Sequence, residues 1–189
     1  MSLFLPKRPA VTEKVVADAL KRAHATGRFS FSGIPGAGAT VIPTAPHQVF
    51  ALGLSSLAEH RGAGAAGLVG WRVLVFLGKR PVAIVEFKGK TSEGTDLNAV
   101  HQGHSVQATA TAILAAERLA QVQTADYEVR LIGVHALRLL ALWLHGEKDE
   151  LFVPLAPAPR GFKAYDLYTE ERFLAEARAL AARRHPARR

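Results

Sequence analysis

At 189 residues, with no cysteine and a net charge of +8, the chain can bury roughly 70% of its unfolded surface without a staple. It has neither disulfides nor thiolate metal ligands. No apolar run approaches the ~18 residues of a membrane span, and MSLFLPKRP lacks the apolar stretch of a signal peptide, so one cytoplasmic domain over 1–189, with no membrane contact, is the expectation.

Residues 1–10 read as an extended arm with Pro6 and Pro9. Thr12 is a fitting N-cap for an amphipathic helix whose Val11, Val15, Val16, Ala19, Leu20 and Ala23 recur at helical spacing, with Gly27 closing it. The segment 29–47 is a Gly/Pro-rich loop. Its SGIPGAG run has glycines but no following Gly-Lys-Ser/Thr, and Pro35, Pro43 and Pro46 interrupt it, so it reads as a surface-hugging loop rather than a phosphate loop. A loop of that length carries function in many compact domains. Val49–His60 reads as a short helix or a strand and helix. Trp71–Leu77 and Pro81–Phe87 flank Gly-Lys-Arg as a hairpin. In the second strand Val82, Ile84, Glu86 and Lys88 share one face, and Ala83, Val85 and Phe87 the other. Thr91–Gly103 reads as a polar loop and Ser105–Val122 as the longest helix.

Tyr127–Leu155 holds the longest apolar run, Leu139–Leu144, and reads as three strands, the middle one buried on both faces. A final helix starts at Thr169, with Glu170 and Glu171 in its first turn and arginines at its end, each sign matched to the helix dipole. The elements therefore run α, loop, α, ββ, α, βββ, α. Strands in hairpin-joined groups predict an α+β fold: an antiparallel sheet of about five strands with the long helix packed across one face.

The charge is uneven. Residues 1–30 carry a net +4, 178–189 carry +5 with no acid, and 31–177 sum to −1. A neutral body with basic ends predicts non-specific polyanion contact at the termini rather than a nucleic-acid-reading face.

One stretch carries a catalytic pattern. In AIVEFKGK, Glu86 and Lys88 form an E-x-K on a strand, a carboxylate for a divalent metal beside a lysine for a phosphate. Over about residues 54–134 this resembles the PD-(D/E)xK nuclease superfamily. The resemblance implies Glu86, Lys88 and Gln107 as catalytic residues and Glu86 with Asp96 as metal ligands. The chain departs from that pattern in the preceding strand, WRVLVFL, which has no aspartate. The competing reading of Glu86 is an exposed cross-strand ion pair, with Arg130 for example, worth under about 1 kcal/mol. His101 and His104 sit at a spacing that would share a helix face and could ligate a metal. His135 and His145 read as exposed turn residues.

No zincin, nucleophile-elbow or calcium-loop motif is present. The function expected from these residues is a non-catalytic binding or assembly module, acting through an exposed sheet face or the 29–47 loop, with a protein partner or a second copy of the chain and no cofactor. A metal-dependent nuclease is the first alternative. A small-molecule pocket under the 29–47 loop is the second.

Overall fold

The computed structural model describes residues 3–4, 13–27, 30, 41–44, 46–89 and 96–184. The expected Thr12 cap, most of the 29–47 loop and the outermost residues of both basic ends lie outside them. In chain order the elements are β1 (Leu3–Phe4), α1 (Glu13–Ala25), β2 (Val41–Pro43), β3 (His47–Ala51), α2 (Leu54–Ala58), β4 (Gly67–Leu77), β5 (Arg80–Lys88), β6 (Asp96–His101), α3 (His104–Glu117), α4 (Ala120–Gln123), β7 (Tyr127–Val134), β8 (Leu139–His145), β9 (Glu150–Pro154), β10 (Tyr168–Thr169) and α5 (Glu170–Arg184).

The expectation of a five-stranded sheet in the order given above is overturned. The described residues form ten strands, mostly antiparallel, with β1 lying parallel on β7. Of the added strands, β2 and β6 come from segments read as loops. β6 has the polar sequence Asp-Leu-Asn-Ala-Val-His and, among the described residues, pairs with β5 alone. A strand with one neighbour and a bulge needs little apolar content, so composition does not reveal it. The long helix also ends earlier than expected, at Glu117, and restarts as the single turn α4.

The chain divides into two compact units, one of 13–48 with 69–110, the other of 3–4, 49–68 and 111–184. In the first unit the β4–β5 hairpin turns through Gly78, whose φ of +58° favours glycine. Trp71, Val73 and Val75 of β4 and Ala83, Val85 and Phe87 of β5 form one apolar face. The α1 stripe of Val16, Ala19, Leu20 and Ala23 covers it. Gly70 is required by space, since a Cβ there would stand 2.3 Å from the Phe87 carbonyl oxygen.

In the second unit β7, β8 and β9 run as an antiparallel meander, with Arg130 opposite Trp143 and Trp143 opposite Phe152. One face places Ile132, Ala141, Trp143 and Phe152 in a core with Phe173, Leu174, Ala177 and Leu180 of α5. The other face buries Leu131, Leu142 and Leu144. β8 is thus buried on both faces, apart from half-buried Leu140 and His145. Leu142 has no solvent exposure, and Leu142→Ala should cost about 2–5 kcal/mol in denaturant unfolding; a loss under about 1 kcal/mol would mean that the side chain is not packed. Two contacts tie the 49–68 segment to later chain: Leu52 N–H donates to the Gly133 carbonyl at 2.9 Å, and Ala63 N–H donates to Glu170 Oε1 at 2.7 Å. No helix of the described residues is long and apolar enough to cross a membrane.

Candidate functional site

Glu86 stands near the middle of β5, on the face turned away from α1. Arg72 of β4 is its direct cross-strand neighbour. Both Nε (at 3.0 Å) and Nη2 of Arg72 donate to Glu86 Oε1. On the other side, β6 bulges between its pairings with Glu86 and Phe87. The bulge leaves Asn98 as the extra residue. Asn98 Nδ2 donates to Glu86 Oε2 at 3.4 Å, and His101 Nε2 lies 3.3 Å from the same oxygen. The Arg72 and Glu86 side chains are only 12% and 18% exposed, so the pair is held in a low-dielectric setting where charge matters.

The electrostatics follow. Burial would raise the Glu86 carboxyl. The His101 imidazole and the Arg72 guanidinium outweigh it and hold the group at about 2, from an ordinary 4.5. His47, at the start of β3, is 5% exposed. Burial pulls it to about 4, a hydrogen bond to the Arg72 backbone opposes this, and the Arg72 charge adds to it. The result is one polar network of His47, Arg72, Glu86, Asn98 and His101 inside the first unit.

The other expected site residues take separate places. Lys88 is exposed at the end of β5, opposite exposed Asp96. Glu86 faces Ala99, not Asp96. Gln107 is exposed on α3 and donates its amide to the Pro81 carbonyl at 3.3 Å. The partner of Glu86 is Arg72 rather than Arg130, which instead pairs with Glu128 at 2.7 and 2.8 Å and lies over the rings of Phe50 and Trp143. His101 ends β6 and His104 begins α3, with Gly103 at φ +76° between them, so they share no helix face. Among the described residues no group of three or more histidines and carboxylates is arranged to hold a metal.

Comparison with protein-family models, with curated proteins and with solved structures finds no match. The site is therefore read from its chemistry alone.

Two concavities of the second unit are lined by described residues. One, of about 670 Å³, lies at the ends of β7 and β8 and is lined by Asp126, Tyr127, Glu128, His145, Lys148 and Asp149 among others. Tyr127, His145 and Asp149 of its walls are engaged internally. Tyr127 Oη donates to the Asp149 carboxylate at 2.9 and 3.1 Å, and burial followed by Asp149 pushes the phenol up to about 12. His145 is a half-buried partner of Glu150, with Nδ1 2.7 Å from Oε1, and not the exposed turn residue expected. The other concavity, of about 510 Å³, runs between α2 and α5.

Proposed function

We propose that the chain is a non-catalytic binding or assembly module working in the cytoplasm, a setting that its cysteine-free composition suits. What supports this reading best is the state of Glu86. Both of its oxygens already accept from Arg72 and Asn98 and meet His101. A divalent ion needs oxygen ligands with open positions for water and phosphate. To reach Glu86 it would have to displace a guanidinium placed there by strand register, and the other expected ligand, Asp96, stands opposite Lys88 instead. Polyanion contact belongs, on this reading, to the basic ends and is non-specific.

Calorimetry of the full chain with manganese or magnesium chloride, beside a plasmid cleavage assay, tests the proposal. The expected result is no saturable heat and no cleavage, with Glu86→Gln identical in both. Glu86→Gln should still lower stability by about 1–3 kcal/mol, more than an exposed pair would, because a charged acceptor is removed from a half-buried network. Metal binding and DNA cleavage that both vanish in Glu86→Gln would sink the module reading and establish the nuclease.

A further inference from the structure

Among the described residues, the concavity between α2 and α5 sets an arginine without a partner beside an apolar floor. Leu54 and Leu57 form its floor, and Ala58, Ala179 and Ala182 its solvent-facing walls. Ala181, Arg178 and His60 complete the lining, which holds no carboxylate. Among the described residues neither side chain makes a hydrogen bond or ion pair, although the neighbouring Arg61 is paired with Glu59 at 2.8 Å. Arg178 is half-buried at the groove. His60 is placed there by a left-handed backbone, φ +56°, at the end of α2. Arg183 and Arg184 follow on the last turn of α5, where they donate to the Ala179 and Leu137 carbonyls.

We propose that this groove docks an amphipathic helix of a protein partner, with leucine-like side chains over Leu54 and Leu57 and acidic residues beside Arg178 and His60. The inference rests on the reading of the chain as a binding module and names its partner. Alanine walls let a helix backbone come close, and apolar anchors at i and i+4 suit an open groove. The lining selects the sign of the partner's charge: an acidic flank gains the unpaired guanidinium, whereas a basic flank meets like charge. An acyl carboxylate offers the same chemistry but needs an enclosed tunnel to bury its chain, and here the alanine walls face solvent.

The test uses the full chain and two fluorescein-labelled 18-residue peptides, with one apolar face of leucine and alanine and a polar face of either glutamate or lysine. Anisotropy should give the glutamate peptide at least tenfold tighter binding, weakening with salt. Methyl NMR should place the shifts on Leu54, Leu57 and Ala179. Arg178→Glu should abolish the preference for the acidic peptide. Since Arg178 is no part of the packed core, that variant should keep the wild-type spectrum elsewhere; Ala58→Glu, on an exposed wall, is the second variant and should weaken the acidic peptide alone. Equal affinity for both peptides, insensitivity to both substitutions, or methyl shifts produced by decanoate and not by peptide would overturn the proposal. Such a failure, with no metal bound at Glu86, leaves the module reading standing. Manganese binding lost in Glu86→Gln would fell that reading whatever the peptides do.

Discussion

Phe152→Ala should destabilise the chain by about 3–5 kcal/mol, the largest single effect expected of any core substitution here. Phe152 has no solvent exposure. Its ring stacks on Phe173 of α5, with centroids 4.4 Å apart and planes 14° from parallel, and has Trp143 6.3 Å away on its own sheet. The substitution therefore removes the apolar transfer energy, opens a cavity against an element that cannot close without shifting, and breaks two ring contacts worth about 0.5–1.5 kcal/mol each. Phe152→Leu keeps most of the volume and should cost less than half as much. Urea unfolding followed by tryptophan emission measures both, because Trp143 reports on this core. Equal and small losses for the two variants would show that α5 does not rely on this contact.

Arg72→Ala should cost about 2–4 kcal/mol at pH 7, and the double variant Arg72→Met with Glu86→Leu should recover most of it. Breaking one side of a buried pair strands the other charge, whereas replacing both by apolar groups removes the desolvation penalty as well. The small exposure of both side chains puts the expected loss at or below the usual range for buried pairs. The same network fixes an acid response. For both Glu86 and His47 the folded value lies below the unfolded one, so the unfolded chain binds more protons and stability falls with falling pH. His47 acts first, between about 6.5 and 4, as the unfolded imidazole charges while the folded one stays neutral. Glu86 follows between about 4.5 and 2, as its ion pair is lost. Each shift corresponds to on the order of 3 kcal/mol. Denaturation midpoints measured from pH 8 to pH 3 should fall in two overlapping stages, and His47→Gln should remove the first. A flat profile down to pH 5 in the unsubstituted chain would contradict the buried neutral His47.

How far the site could be read from sequence depended on register. The alternation of Ala83, Val85 and Phe87 against Ile84 and Glu86 was legible, because period-two patterning survives any register. The partner of Glu86 was not. Had the β4–β5 hairpin run regularly from its turn at Gly78 and Lys79, Arg72 would face Val85. A bulge between the Val75 and Phe76 pairings slips the register by one and sets Arg72 against Glu86. Pro81, which cannot donate to the ladder, lies at that irregularity and was the one local signal available. Asn98 is brought in by a second bulge, and His47 reaches Arg72 from a strand that its polar, proline-flanked sequence conceals. The β7–β9 meander was plain for the opposite reason: its apolar run is too long for a surface segment, and Gly146 with Lys148 and Asp149 marks its turn. The α2–α5 groove was out of reach, since the side chains that line it come from two segments far apart in sequence.

That separation has a consequence for how the chain is made. Ala63 waits for Glu170, a residue 107 positions later. At ordinary rates of synthesis that interval is roughly 5 to 20 s. Through it, Leu52 and Leu57 have been translated, but the helix whose Phe173, Leu174 and Ala177 share their core has not. The 49–68 segment is therefore an early product with a late partner. A nascent chain stopped short of residue 170 leaves exposed the face that α5 covers, although Ile132, Ala141 and Phe152 of the same core are already made.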